Sequence, residues 1–268
     1  MTKIKVAVAG CLGRMGQEIT RQILKNKKLL FVGGFEHKSH PMIGKKIRKV
    51  VEVNSELLVS SDSDKIIKSA DVLVDFTTPN STLMNIKKAA LCKTAIVIGT
   101  TGFNVRQENK IKSYSKKIAI LMSSNMSPSV NLLFNLVSQT ASVLRDSEYD
   151  IEISETHHKY KVDAPSGTAL SLGESAAAGR KTTLKKSQIM DRTKKNMLRK
   201  KGDIGFSVTR GGEIAGEHTV SFISANDRVD LVHKANNRSI FVSGAIEAII
   251  FISKKKNGFF DMKDLFIK

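Results

Sequence analysis

The chain has 268 residues, 41% of them hydrophobic and 26% charged, so it is long enough for two domains and too apolar to be disordered. No apolar run approaches the roughly 18 residues a membrane helix needs, and the apolar stretch at residues 6–9 runs straight into a glycine loop, unlike a secretory signal. The net charge of +19 comes mostly from lysines spread over the whole length, with 6% aromatics and no Trp, which fits a solvated surface rather than a nucleic-acid or membrane partner.

In chain order, strands are expected at residues 3–9, 29–35, 57–60, 72–76, 95–98 and 118–122, with helices at 15–25 and 81–91 between them. Short apolar runs alternating with amphipathic stretches are the pattern of parallel βαβ units. The rhythm then changes. Residues 130–144 read as an amphipathic helix and 150–155 as a half-buried strand. Strand-like runs follow at 204–210, 217–224 and 229–234, and a helix-like stretch at 244–253. Strands succeeding one another with few helices suggest an antiparallel or mixed sheet. The expected fold is therefore α/β, with a dinucleotide-type domain to about residue 128 and a sheet domain after it. The basic segment 181–201 has little apolar periodicity and is expected to be a mobile loop. Two cysteines, Cys11 and Cys92, cannot frame a disulfide scaffold and fit a reducing cytoplasm. No metal-ligand spacing is present, so no metal is expected.

Gly10, Gly13 and Gly16 follow the first expected strand and open a helix. Glycines there allow a tight turn and close approach of a pyrophosphate to the helix N-terminus. Glu36 stands 20 residues after Gly16, where a carboxylate can accept hydrogen bonds from ribose hydroxyls. A carboxylate there disfavours a 2′-phosphate, whereas His37 and Lys38 offset it, so use of both NADH and NADPH is expected. The turns at residues 75–79 and 99–103 sit past strand ends, on the edge where open parallel sheets bind ligands.

The segment from Glu155 to Ala169 combines His157 and His158, Lys159 and Lys161, and a helix start with Ser166 as N-cap and Gly167 and Thr168 in the first turn. A helix N-terminus attracts anions, a lysine adds a full charge, and a histidine supplies a proton near neutral pH. Together these describe a pocket for an acidic substrate that is protonated as it is reduced. The glycine loop alone also allows another amino-acid dehydrogenase of Rossmann type, and the charge allows a non-catalytic dinucleotide-binding regulator.

The ordered set of the Gly10 loop with Arg14 and Met15, Asp75-Phe76-Thr77, the run from Val97 to Phe103, Asn125 with Ser127, the His157-to-Ala169 segment, Gly216-Glu217-His218-Thr219, His233-Lys234-Ala235, Arg238 and Phe260-Asp261-Met262 resembles the 4-hydroxy-tetrahydrodipicolinate reductase family along nearly the whole chain. The resemblance implies an N-terminal Rossmann-type dinucleotide-binding domain, residues 1–128, rejoined by residues 241–268. It also implies a C-terminal α+β domain with an open mixed sheet, residues 129–240, that binds substrate and forms a homotetramer. It implies NADH or NADPH as hydride donor to a small dicarboxylate, with His157 as proton donor and Lys161 holding a substrate carboxylate. His158, Ser166, Gly167 and Thr168 are implied as further substrate contacts. Gly10, Gly13, Arg14, Met15, Glu36, His37, Gly99, Thr100, Thr101, Ser124, Asn125 and Met126 are implied as cofactor contacts. His37 stands where relatives often carry Arg and Thr78 where some relatives do, and Met126 and Pro128 vary the loop beside the nicotinamide.

Overall fold

A computed structural model describes residues 2–51, 55–193 and 198–266. The chain opens with β1 (Ile4–Ala9), α1 (Arg14–Lys25), β2 (Leu29–Phe35), α2 (Arg48–Val51), α3 (Ser63–Lys68) and β3 (Val72–Asp75). It continues through α4 (Pro79–Cys92), β4 (Ala95–Ile98), α5 (Val105–Ser113) and β5 (Ala119–Met122). Next come α6 (Pro128–Val143), β6 (Asp150–His157), α7 (Gly167–Gly179), α8 (Leu184–Ser187), β7 (Gln188–Ile189), β8 (Ile204–Arg210), β9 (Glu217–Ile223) and β10 (Arg228–Lys234). The last elements are α9 (Ser239–Ile252), β11 (Gly258–Phe260) and α10 (Lys263–Phe266). Two compact units result, Met1–Ser127 with Ser239–Lys268, and Pro128–Arg238.

The first unit is a parallel sheet in the order β11-β5-β4-β3-β1-β2. Its strands are apolar on both sides because both faces are covered. Val6, Val8, Val72, Val74 and Val97 pack on one face with Ile19 and Ile23 of α1 and Ile249 of α9. Ala7, Leu73, Ile96 and Ile98 pack on the other with Ile86 of α4 and Ile111 of α5. The chain turns one way from β1 to β2 and the other way to β3. The crevice beyond the ends of β1 and β3 is therefore the switch point where such Rossmann-type sheets bind ligands.

The second unit is a mixed sheet in the order β10-β9-β6-β8-β7, antiparallel on the β9 side of β6 and parallel on the β8 side. Ile151, Ile153, Ile204, Val220 and Phe222 share one face and pack against Val137 of α6 and Leu172 and Ala176 of α7. On the other face Ser154 and Ser207 are exposed, while Glu152 is half-buried and Gly205 and Ser221 are buried. Among the described residues no helix is long and apolar enough to cross a membrane, and Cys11 and Cys92 are free thiols.

Several expectations need correction. Residues 57–60 form no ladder strand. Leu58 and Ser60 make single bridges to Lys46 and Phe35, and the backbone bonds of Leu57 and Val59 go to residues 44–47. With Leu57 and Leu58 exposed, only Val59 of this apolar run is core. The segment 181–201, expected as a loop, contains α8 and the edge strand β7, which pairs with β8 through Gln188 and Ile189; residues 194–197 lie outside the described residues. Helix α5 goes unread because Ile111 is its one buried residue, yet it carries a capping box in which Asn104 and Gln107 satisfy each other's backbone N–H. Strand β11 is only a short edge beside β5.

Phe222 is fully buried where β9 meets α6 and α7. Phe222→Ala is expected to destabilise the second unit by about 3–5 kcal/mol, the usual cost of an emptied aromatic site. Urea unfolding would measure it, and a loss under about 1 kcal/mol would contradict this packing.

Candidate active site

In the first unit the end of β1 passes through Gly10, whose φ of +64° suits glycine, into α1 with Gly13 as N-cap. The turn is closed by the Gly13 N–H donating to the Gly10 carbonyl at 3.0 Å. Gly16 in α1 lies so close that a Cβ there would stand 2.1 Å from the Gly10 oxygen. No side chain caps Gly13 and no acidic residue enters the first turn of α1, so the helix presents its positive end to an anion. Glu36 reaches back from the end of β2 and accepts the Leu12 N–H at 2.7 Å on Oε1. The carboxylate that would face a ribose therefore also holds the glycine loop in place. Beside the loop, burial first and the Glu36 charge second push the Cys11 thiol up to about 12, which keeps it a neutral packing group.

Gly10, Gly13, Glu36 and His37 line one cleft of about 510 Å³ at this switch point, together with Ser61, Ser63, Thr77 and Thr78. His37 is exposed and its Nδ1 lies 2.8 Å from Ser39 Oγ. Arg14 and Met15 occupy the first turn of α1. The neighbouring turns are tied together by Asp75, fully buried at the end of β3. Its carboxylate accepts from Thr77 Oγ1 at 2.6 Å, Thr82 Oγ1 at 3.1 Å and Asn85 Nδ2 at 2.8 Å. Thr100 Oγ1 in turn accepts the Thr77 N–H at 2.9 Å, so the turns after β3 and β4 move as one piece. Phe76 packs where a Cβ on Gly99 would fall. Thr101 is exposed at that edge. Ser124, Asn125 and Met126 follow β5, where Asn125 Oδ1 accepts the Ser127 N–H at 2.8 Å and Met126 is core. The glycine cradle, the helix end and Glu36 fit a dinucleotide.

In the second unit the pleat does the assembling. The alternation that sends Ile151 and Ile153 into the core carries Glu155 and His157 onto the same face. The register sets Glu155 opposite His218 of β9, and His157 opposite Arg210 of β8. Glu155 is the centre. Its Oε2 bonds to His157 Nδ1. Arg210 forks onto both its oxygens at 2.9 Å, and its Oε1 accepts the Ser166 N–H at 3.0 Å. Ser166 caps α7 by accepting the Ala169 N–H at 3.1 Å, and its Oγ lies 3.2 Å from His218 Nε2. The His157 and His218 rings meet edge-on with centroids 5.1 Å apart.

Burial alone would raise the Glu155 carboxyl, but the bonds from His157, Arg210 and the Ser166 N–H outweigh it and hold it down at about 2. Burial, followed by the charge on His157, drives His218 down to about 3, so it stays neutral. Lys161 is mostly covered and donates to both oxygens of Asp163, at 2.7 and 3.0 Å. His158 is half-buried after β6, and its N–H donates to the Ile214 carbonyl at 2.9 Å. Gly167 and Thr168 form the first turn of α7, where N–H groups have no acceptor within the helix.

Glu155, His157 and His218 each offer a possible metal ligand within 4.8 Å of the others. The Arg210 fork already neutralises that carboxylate with a fixed charge, so the cluster reads as a hydrogen-bonded network.

Two family models divide the chain between them: "Dihydrodipicolinate reductase, N-terminus" over residues 4–126 and "Dihydrodipicolinate reductase, C-terminus" over residues 129–266. The chain belongs to the dihydrodipicolinate reductase family. It is 43% identical over 264 residues to the 4-hydroxy-tetrahydrodipicolinate reductase of Parvibaculum lavamentivorans, covering 98% of this chain and 97% of that protein. It is 39% identical over 265 residues to the protein of that name from Buchnera aphidicola subsp. Schizaphis graminum, covering 97% and 96%. Among solved structures it is similar to the dipicolinate-bound dihydrodipicolinate reductase of Paenisporosarcina sp. TG-14, with a TM-score of 0.70 at 24% identity over 97% and 98% of the two chains. The fold is also that of a Lactobacillus casei scyllo-inositol dehydrogenase solved with NAD(H) and scyllo-inositol, with a TM-score of 0.59 at 11% identity over 93% and 88%.

Within this family member, sequence reasoning singled out the His157 segment but not Glu155, Arg210 or His218 as site residues. One signal was available. A strand that alternates apolar residues and then puts a carboxylate and an imidazole at the next two positions of its apolar face must bury both, and buried charge requires partners.

A histidine held neutral when folded destabilises the fold as pH falls, because the unfolded chain takes up a proton between its ordinary value of about 6.5 and the folded value of about 3. Stability contributed by neutral His218 is therefore lost from about pH 6.5 downward. His218→Gln is expected to show a shallower decline of the urea midpoint between about pH 6.5 and 4.5. Parallel slopes for the two proteins would show that His218 is charged in the folded state.

Proposed function

We propose that this protein reduces 4-hydroxy-tetrahydrodipicolinate to tetrahydrodipicolinate with NADH or NADPH, a step of diaminopimelate and L-lysine biosynthesis in the cytoplasm. Family membership over nearly the whole chain supports the reaction. The single structural observation that carries the assignment of roles is the buried Glu155–His157 pair set beside the N-terminus of α7.

The bound dinucleotide supplies hydride to the substrate ring. Every other part of the work falls to the chain. The turn at Gly10 and Gly13 and the first-turn residues Arg14 and Met15 hold the pyrophosphate at the positive end of α1. Glu36 takes the adenosine ribose while its other bond fixes Leu12, and His37 with Lys38 on the cleft wall provides charge for a 2′-phosphate. Gly99, Thr100 and Thr101, with Ser124, Asn125 and Met126, receive the nicotinamide end. Thr100 is held for this by its bonds to Thr77 and Thr82.

On the second unit Lys161 binds one substrate carboxylate, exchanging its pairing with Asp163 for the ligand. Ser166, Gly167 and Thr168 bind the other at the start of α7, where N–H groups and the helix dipole favour an anion. His158 orients the ring. His157 gives up one proton as hydride arrives, while the hydroxyl leaves as water. The balance is one hydride and one proton in, one water out. The exposed part of this face of the mixed sheet, with Ser154, Ser207 and the half-exposed Val232, supports assembly as a homotetramer through these sheets.

The test couples oxidation of reduced cofactor to substrate made in situ from pyruvate and aspartate semialdehyde. Turnover that depends on both precursors is expected. The rates with NADH and NADPH should differ by less than about a thousandfold, which is roughly 4 kcal/mol. A larger gap in either direction would end the dual-cofactor reading.

His157→Ala is expected to cut kcat by about 10²- to 10⁴-fold with cofactor affinity little changed, as when a general acid is removed. Lys161→Ala should raise the substrate KM as well as lower kcat. Full turnover in the His157 variant would remove it from the proton-donor role.

A further inference from the structure

We propose that Glu155 is a positioning residue for the proton donor, fixing His157 with Nδ1 on the carboxylate so that Nε2 is the nitrogen that gives the proton, and that Arg210 sets how firmly that proton is held. The inference rests on the proton-donor role assigned to His157 above.

The geometry leaves His157 one orientation. Nδ1 is committed to Glu155 Oε2, and the imidazole side chain is only 10% exposed. Glu155 in turn cannot swing away. Both oxygens are gripped by the Arg210 fork, and Oε1 also takes the Ser166 N–H. Arg210 is itself anchored by donating to the Asp163 carbonyl at 2.7 Å and the Thr209 carbonyl at 2.8 Å. The other edge of the ring faces Gly216, where a Cβ would stand 2.9 Å from Nε2. Glycine at that point, with φ of +154°, keeps the Nε2 side open. Hydrogen bonding at one ring nitrogen decides which nitrogen is available at the other, so a carboxylate on Nδ1 makes Nε2 the exchanging site.

The charges around His157 come from every neighbouring strand. Glu155 lies on β6, Arg210 on β8 and His218 on β9, with His233 of β10 opposite His218. His158 is adjacent in sequence, and Lys161 follows in the connection to α7, paired with Asp163. Glu155 thus sets a negative charge, and Arg210 through it a positive one, beside the same imidazole. In the step itself the His157 imidazolium loses its Nε2 proton to the substrate as the ring receives hydride. The neutral imidazole that remains keeps its Nδ1–H on Glu155 and is reprotonated from solvent.

The balance makes the two neighbours act in opposite directions, which a merely structural role would not. An acid must be protonated to work, so kcat falls on the alkaline side of its titration. Glu155→Gln removes the charge that favours the imidazolium, and the alkaline fall-off should move down by about one pH unit or more. Arg210→Met leaves Glu155 unshared, and the same limb should move up. Glu155→Gln should also lower kcat by about 10- to 100-fold while the substrate and cofactor KM values stay within a few-fold of the parent.

Breaking a buried ion pair can prevent folding, so Arg210→Lys and Glu155→Asp are measured beside them. Arg210→Lys keeps the charge and should leave the limb near its original position. Glu155→Asp keeps the charge but withdraws the carboxylate, and should lower kcat while moving the limb down less than Glu155→Gln does. Limbs that stay put in both charge-removing variants, or move the same way, would overturn the proposal, as would a Glu155→Asp protein of unchanged kcat. If His157→Ala itself retained turnover, the proton-donor reading would fail instead, so the two failures are distinguishable.

Discussion

The candidate site of the second unit is organised around one buried carboxylate. Glu155 sits at the end of a core strand, where an unpaired charge would be prohibitively costly, and it is kept ionised by an imidazole, a guanidinium fork and a backbone N–H. Those partners come from three different pieces of chain: β6 itself, β8, and the turn that starts α7. Satisfying one charge therefore aligns His157, the edge of the sheet and the helix N-terminus together. A buried pair of this kind is weak evidence for added stability. Its consequence here is geometric specificity.

The first unit shows the same logic with a different group. Asp75, fully buried at the end of β3, gathers Thr77, Thr82, Asn85 and Thr100 around it. The turns at the sheet's carboxyl edge are thereby fixed relative to one another. Glu36 does this for the glycine loop through Leu12. In both units buried or half-buried carboxylates hold the turns at the strand ends.

The surface is rich in lysine. Diffuse positive charge attracts dianionic and dinucleotide ligands from a distance, while the discrimination falls to a few short-range groups. In the second unit the short-range groups include Lys161, held by Asp163, and the first turn of α7.

The sequence by itself determined the alternating βαβ order of the first half, the glycine turn with Glu36 in step, and the helix start capped by Ser166 that follows the histidine pair. Each of these is local: periodicity follows from burial of one or both faces, and glycine loops and helix caps are encoded within a few residues. It misread residues 57–60, because an apolar run does not reveal whether its backbone partners are a neighbouring strand or a nearby loop. It passed over α5, whose capping box was present but whose buried face was a single isoleucine. Only the tertiary structure decided that Glu155, Arg210 and His218 belong with His157. They are up to 63 residues apart along the chain, and strand register, which no local pattern states, sets them side by side. A buried charge declares that it needs partners, but which partners it finds is a property of the sheet.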